Sequence, residues 1–344
     1  MLRFTTLLLI EWEQLSNNCQ TKERSSESNN RRTTSNNLQS NLQEPTSPSH
    51  KSGFVNIIGR PNVGKSTLMN ALVGERMSII TNKPQTTRHR ILGILSGEDF
   101  QIVFSDTPGI IADPAYKMQE AMNAAVSTTF QDADVMLFVT DVNERYEEND
   151  LTIGRLQHVE VPLLLVLNKI DTISPEQLGR VRKTWRDRVD FTDSYAISAL
   201  KGAGVPELLK GIRKLLPEGP AYYPKDQLTD RPERFFVSEI IREKILEIYH
   251  QEIPYSTEVI VERYKEGETN SGEAITRIEA TIFVARKTQK SIVIGKGGSL
   301  IKKLGSESRK SLEQWLQTKV YLELHVKVRE GWRNDDSSLK MFGY

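Results

Sequence analysis

One cysteine, Cys19, stands in the whole 344-residue chain, so neither a disulfide framework nor a cysteine-based metal cluster can be built within it. A reducing compartment is the simpler expectation. No apolar stretch approaches the ~20 residues that cross a bilayer as a helix. The run Leu7–Ile10 is far shorter than a secretory core, and Glu11 and Glu13 follow it at once. A charge imbalance is missing too: 46 Lys and Arg face 45 Asp and Glu, so total charge names no partner. Its distribution is more informative. Between Arg286 and Arg333 twelve basic residues stand against four acidic ones, a surface suited to a polyanion; the plainer reading of such a run is a solvated helix face.

Residues 15–52 lack large apolar side chains almost entirely and are rich in Ser, Asn, Gln and Thr, a composition that cannot bury enough surface to fold. Two readings of residues 1–52 stand side by side. One is an organelle-targeting segment, which would send the chain to a matrix or stroma. The other is an upstream stretch with no folded role, favoured by Glu23, Glu27 and Glu44, which do not suit a transit peptide; the chain is then expected in the cytoplasm.

From Gly53 onward the pattern changes. Short, nearly continuous apolar runs at Phe54–Ile58, Phe100–Phe104, Val135–Val139, Pro162–Leu167 and Tyr195–Ile197 read as strands covered on both faces. Helical patterns lie between them, such as Val205–Leu216, and this alternation predicts an α/β, doubly wound, mostly parallel sheet over residues 53–217. Residues 218–234, with three prolines after Pro217, read as an extended linker. Residues 235–344 predict a smaller α+β module in the order helix, strand, strand, helix, strand.

Five motifs punctuate the first unit. Gly59, Arg60, Pro61, Asn62, Val63, Gly64, Lys65 and Ser66 form GxxxxGKS between a strand and a helix. Its glycines let backbone N–H groups wrap a phosphate chain at the positive end of a helix dipole, Lys65 reaches the outer phosphates, and the Ser66 hydroxyl holds magnesium. Asp106, Thr107, Pro108 and Gly109 follow the next strand; Asp106 would orient a magnesium-bound water, and Gly109, followed by Ile110, would offer its N–H to the γ-phosphate. Asn168, Lys169, Ile170 and Asp171 select the base. The Asp171 carboxylate can accept from two guanine N–H groups that adenine lacks, and adenine would leave that carboxylate unpaired. Backbone N–H groups at Ser198 and Ala199, in the word Ser198–Leu200, would meet the keto oxygen. Thr86 and Thr87 lie in the polar stretch Asn82–Ile91. One of them would close on magnesium and the γ-phosphate, making that stretch an order–disorder switch, and the arginine that follows favours Thr87. Lys65, Thr87 and Gly109 are thus the residues expected to touch the transferred phosphate, with GTP and GDP as ligands and Mg2+ held by Ser66, Thr87 and Asp106.

At this point the chain resembles the Era family of bacterial-type P-loop GTPases. The resemblance runs from Gly53 to Tyr344 and rests on the motifs above, on Pro84–Ile94, on the linker words around Tyr222 and Arg234, and on Ile294–Gly305. The last is similar to a type II KH module, in which a GxxG loop receives an RNA backbone. Gly295, Lys296, Gly297 and Gly298 would form that loop, Ile292, Ile294 and Ile301 an apolar cleft for bases, and Lys296, Lys302, Lys303, Arg309 and Lys310 phosphate contacts. The resemblance implies GTP hydrolysis, binding of small-subunit ribosomal RNA near its 3′ end, and a role in maturing the immature small ribosomal subunit, by a chain acting as a monomer. It implies further that Asn62 occupies a position that holds K+ in related GTPases. One departure from Ras-like proteins concerns hydrolysis: Ile110 and Ile111 stand where a water-orienting glutamine would. Slow turnover is therefore expected, and an RNA-binding chaperone with a regulatory, barely hydrolysing nucleotide site is the competing function. The helix at Phe235–Gln251 admits a weak peripheral membrane contact on the inner face of the cell membrane; the alternative is that its apolar face packs on the KH sheet.

Overall fold

The computed structural model describes residues 49–344 apart from 112, 131, 148 and 149; the expectations for residues 1–48 lie outside the described residues. Its first half is a six-stranded sheet. The strands are β1 (Lys51–Ile58), β2 (Ile91–Ser96), β3 (Phe100–Asp106), β4 (Val135–Asp141), β5 (Leu163–Asn168) and β6 (Asp193–Ala196), in the spatial order β2-β3-β1-β4-β5-β6. Only β2 runs antiparallel to its neighbour. The strand at Ile91–Ser96 was not expected from the sequence. It forms because Ile91 and Ile94 point inward and the tight return at Gly97 feeds directly into β3.

The continuous apolar runs are explained by burial on both faces. Leu137 and Val139 of β4 pack with Leu68 and Met69 of α1 (Lys65–Val73) and with Leu208 and Ile212 of α5 (Val205–Leu215). Met136 and Phe138, on the opposite face, join Trp185 of α4 (Pro175–Arg186) and Ile153 of α3 (Leu151–Leu156). The remaining helix of this half, α2 (Lys117–Thr129), turns Met118 and Met122 toward the C-terminal unit. Strand β1 lies between β3 and β4, and the two flanking connections leave in opposite directions. The carboxyl ends of β1 and β4 therefore border the crevice where such sheets bind ligands.

Residues 218–234 are extended but not loose. Leu228 accepts from the Ile94 N–H at 2.8 Å, the Gln101 carboxamide accepts from the Tyr222 and Tyr223 N–H groups, and Lys225 caps two carbonyls of the β2–β3 turn.

The second unit holds α6 (Glu233–Ile248), β7 (Thr257–Glu268), β8 (Ala274–Val284), α7 (Lys287–Ile294), α8 (Ser299–Leu316), β9 (Lys319–Val328) and α9 (Asp336–Phe342). Its sheet has the order β7-β8-β9, with β7 and β8 antiparallel and β8 and β9 parallel. Two helices go beyond the expected order: α7, directly before the glycine loop, and α9, which packs Leu339 and Phe342 against Met118 and Met122 of α2. The apolar side of α6 (Val237, Ile241, Ile245) is buried in the core under β7 and α8, the alternative weighed against a membrane contact. Its charged side is buried as well: Glu239, Arg242 and Glu243 are all enclosed.

Candidate functional site

The phosphate loop begins where β1 ends. Gly59 has φ +149°, and a Cβ there would sit 2.2 Å from the Val139 carbonyl oxygen; Gly64 has φ +100°, and its Cβ would sit 2.2 Å from Asn168 Nδ2. Neither position tolerates a side chain. Gly64 caps α1, which starts at Lys65, so the loop's N–H groups and the helix's positive end face the same crevice. Lys65 is buried, and its ammonium donates to the Gly59 and Arg60 carbonyls at 3.0 and 2.9 Å. Burial lowers its pKa to about 8 despite the nearby Asp106. A cationic group this poorly solvated is primed for a phosphate.

Three oxygen-bearing side chains meet beside it. Ser66 Oγ donates to Asp106 Oδ2 at 2.7 Å and lies 2.9 Å from Thr87 Oγ1, while Thr87 Oγ1 is 3.4 Å from the same carboxylate. Asp106 is the last residue of β3, fully buried, and its Oδ1 has no hydrogen-bond partner. Burial pushes its carboxyl above the ordinary value, against the pull of Lys65 and of the Ser66 hydroxyl. An unpartnered carboxylate oxygen next to two hydroxyls is the donor set a hard divalent cation takes, so these residues fit Mg2+.

The segment 168–171 and the turn at Ala199 are tied to the phosphate loop by one side chain. Asn168 Nδ2 donates to the Val63 carbonyl at 2.8 Å, and its Oδ1 accepts from the N–H groups of Lys169 and Ala199 at 2.8 and 3.0 Å. Three motifs distant in sequence are thereby locked into one wall. Lys169 lies along the loop, donating to the Asn62 carbonyl at 2.9 Å and pairing with Asp141 at 2.7 Å. Asp171 is accessible at the rim with Lys201 at 3.4 Å. A cleft of ≈410 Å3 runs from Lys65, Ser66 and Thr87 past Asn62 to Asp171 and Ser198.

Thr107, Gly109 and Pro61 line the cleft, and several other expected residues support it from outside. The Val63 side chain is core. Pro108 is buried, and Thr107 Oγ1 donates to the Ile57 carbonyl at 3.1 Å, fastening this turn to β1. Gly109 abuts Pro61 so closely that a Cβ would meet the proline ring at 2.7 Å. Arg60 turns away from the cleft, pairing with Glu144 at 3.3 Å and with Asp150, its guanidinium 3.8 Å from the Tyr146 ring centre. Ile110 faces a separate groove beside Arg60. Ile170 opens a short 3-10 turn against the core formed by Phe138 and Trp185. Arg60, Ile110 and Ile170 therefore do not line the cleft; their side chains are taken up by an ion-pair cluster, a neighbouring groove and core packing.

Sequence reasoning assigned no role to Leu200, an 82 % exposed leucine on the cleft rim. Its place in the word Ser198–Leu200 was the available signal: an uncovered apolar side chain there suits the face of a base. A larger omission is the set of partners that hold Thr87. The Arg88 guanidinium crosses into the second unit and donates to Glu258 Oε2, the Thr257 carbonyl and the Pro254 carbonyl at 2.9, 2.8 and 2.8 Å. On the other side of Thr87, the Thr86 carbonyl accepts from Arg242 Nη2.

At the glycine loop of the second unit, Gly295, Gly297 and Gly298 have φ +73°, +59° and +78°. Lys296–Gly298 forms a single turn between α7, which ends at Ile294, and α8. Lys296, Lys302 and Lys303 are exposed, and Ile292, in the helix before the loop, leaves 46 % of its surface uncovered. Lys310 is paired with Glu307 at 2.9 Å.

Comparison with known proteins agrees with both halves of this geometry. Residues 54–169 match the family described as 50S ribosome-binding GTPase, and residues 252–333 match the KH domain. GTPase Era of Syntrophus aciditrophicus is 45 % identical over 295 residues, covering 86 % of this chain and 95 % of its own length. GTPase Era of Lactobacillus helveticus is 46 % identical over 294 residues, with 86 % and 96 % covered. Among solved structures, Era in complex with MgGDPNP and nucleotides 1506–1542 of 16S ribosomal RNA superposes with a TM-score of 0.79 at 38 % identity, covering 86 % of this chain and 99 % of its own. A variant of Aquifex aeolicus Era bound to GDP·AlF4− gives 0.78 at 39 %, with the same coverage. A GTPase-family match and a downstream KH-domain match in one chain, together with relatives matched over nearly their full length, place this protein in the Era family of GTPases.

Proposed function

We propose that this GTPase uses its nucleotide cleft to govern how its KH module engages the single-stranded region near the 3′ end of small-subunit ribosomal RNA, and so assists maturation of the immature small subunit. The observation that carries the proposal is the convergence of Ser66, Thr87 and Asp106 at one end of the cleft while the residues on either side of Thr87 are gripped by the RNA-binding unit. A ligand at either end then bears on the same loop.

Ser66, Thr87 and Asp106 would hold Mg2+, which when bound neutralises charge on the β- and γ-phosphates. Lys65 supplies a second positive charge, and the N–H groups of the phosphate loop and of Gly109 bind phosphate oxygens. Asp171 selects guanine, with Lys169 and Leu200 flanking the base. Neither Ile110 nor Ile111 carries a polar group that could orient water; the Ile111 backbone is fixed to the Asn123 carboxamide by two hydrogen bonds of 3.0 and 2.8 Å, and Ile110 faces a separate groove. Catalysis therefore rests on positioning and on electrostatics. Asn62 Nδ2 donates to the Asn82 carbonyl at 3.2 Å, which puts this side chain beside the switch loop, and K+ is the ion we assign to add positive charge there. Hydrolysis that runs equally fast in sodium and in potassium would remove the ion from the scheme. Since the apolar side of α6 is spent on the core, a peripheral membrane contact would have to use some other surface.

On the RNA side, Lys296→Ala combined with Gly297→Asp should weaken binding of an RNA carrying the 3′ end by about tenfold and lower the salt dependence of what remains. Crosslinking read by sequencing should lose the 3′-end signal in that variant, while GDP affinity stays as in the wild type. Retention of the signal would refute this placement of the RNA.

A further inference from the structure

We infer that Arg242 and the buried Arg88–Glu258 pair are positioning residues for Thr87, so that the RNA-binding unit sets the geometry of the metal-closing loop from outside the nucleotide cleft. The inference rests on the reading of Thr87 as a Mg2+-closing residue. Residues 81–90 contain no helix or strand, and a polar segment of this kind does not hold one conformation by itself. Its own unit holds it at Asn82, Thr87 and Arg90; the buried charged restraints come from the second unit. Working outward from Thr87, the carbonyl before it is held by Arg242 and the side chain after it by Glu258 and two carbonyls. Glu243 accepts from the Ile80 N–H at 3.3 Å, and the Tyr249 carbonyl accepts from Lys83 Nζ at 2.5 Å. His89 stacks on Tyr344 with ring centres 4.5 Å apart.

Burial makes the arrangement directional. The side chains of Arg88 and Arg242 are 0 % and 1 % exposed, and those of Glu258 and Glu239 are 7 % each, so water does not compete for these bonds. Arg242 is itself fixed by Glu239, with Nε and Nη2 at 2.7 and 2.6 Å from its carboxylate oxygens. Burial alone would raise the Glu258 carboxyl, yet Arg88 and Arg242 outweigh it and hold it below its ordinary value.

The contact is nevertheless poised rather than locked. Arg88 Nε and Arg242 Nη1 are buried without an acceptor, a cost that undocking into water would relieve. That cost lowers the barrier to a second, undocked arrangement, and Thr87 lies on the segment that undocking would release. Tyr249 gives the RNA side a handle on the same element, because its hydroxyl donates to the Val293 carbonyl at 2.8 Å, one residue before Ile294 and the glycine loop.

The test uses the full chain. Replacing the buried pair with Glu239→Met and Arg242→Met removes the grip on the Thr86 carbonyl while leaving no buried charge of that pair unpaired. Single-turnover GTP hydrolysis should then need about tenfold more Mg2+ for half-maximal rate and should slow at saturation, the size expected for one charged hydrogen bond. GDP affinity and RNA affinity should change by less than about twofold, which a merely structural defect would not allow. Arg242→Lys, which keeps the charge but has one donor centre for two partners, should show the same split at smaller size and decides the matter if the double variant does not fold. Unchanged Mg2+ dependence in these variants, or a parallel loss of GDP and RNA binding, overturns the inference. Thr87→Val serves as the reference. A Mg2+ shift there without one in the Arg242 variants sinks this inference alone, and no shift in Thr87→Val sinks the metal-closing reading together with it.

Discussion

The two walls of the nucleotide cleft are built in contrasting ways. The phosphate-loop wall is held by its own unit: Gly59 and Gly64 take backbone conformations that admit no side chain, Asn168 ties the loop to the turns at Lys169 and Ala199, and Lys65 caps two loop carbonyls. The switch wall, residues 81–90, touches its own unit at Asn82, Thr87 and Arg90 but takes its buried charged contacts from groups at 242–258. One wall is preorganised and the other is borrowed. A site that must bind the same phosphate chain every cycle gains from the first arrangement, and a loop whose order reports on a distant partner requires the second.

The comparison breaks most visibly at the preorganised wall. Gly64→Ala forces a left-handed residue, worth about 1–3 kcal/mol of strain, and drives its Cβ into Asn168 Nδ2. Nucleotide affinity should fall by on the order of a hundredfold as the loop shifts, measured by GDP titration. Affinity within a factor of two of wild type would show that the loop is softer than its geometry indicates.

This difference also decides what could be read in the sequence. The phosphate loop, the Asn168–Asp171 word and the strand–helix alternation were legible because each depends on neighbours within a few residues. The interface was not legible. Glu239, Arg242 and Glu243 on α6 look like the solvated face of an amphipathic helix, and only their burial against residues about 160 positions earlier reveals otherwise. Likewise β2 was hidden because its apolar residues are split by Gly93 and follow the polar switch stretch with no turn signal between them. The helix α7 was hidden because Lys287–Ile294 buries only Gln289 and Val293, too little apolar periodicity to detect.

A subtler probe of the preorganised wall is proton linkage. Burial lowers Lys65 to about 8, below its value in an unfolded chain, so the penalty for charging it in the folded protein is full below pH about 8 and is relieved as pH rises toward 10.5. Bound phosphates restore the charged form. GDP binding should therefore take up protons above pH about 8 and weaken there, seen by calorimetry in buffers of different ionisation enthalpy. Proton-neutral binding at pH 9 would mean that Lys65 stays charged in the free protein.

The most direct measurement is amide hydrogen exchange, residue by residue, on Glu258→Gln and the wild type without nucleotide. Removing that carboxylate leaves Arg88 without its buried counter-charge. Exchange should accelerate across residues 81–90 by tenfold or so, while the phosphate loop at 59–66 keeps its native protection. In the wild type the same acceleration should appear as pH falls below about 4.5 and through the lowered Glu258 value, once intrinsic exchange is corrected for. If both walls loosen together, or neither responds, the switch loop does not draw its order from the RNA-binding unit.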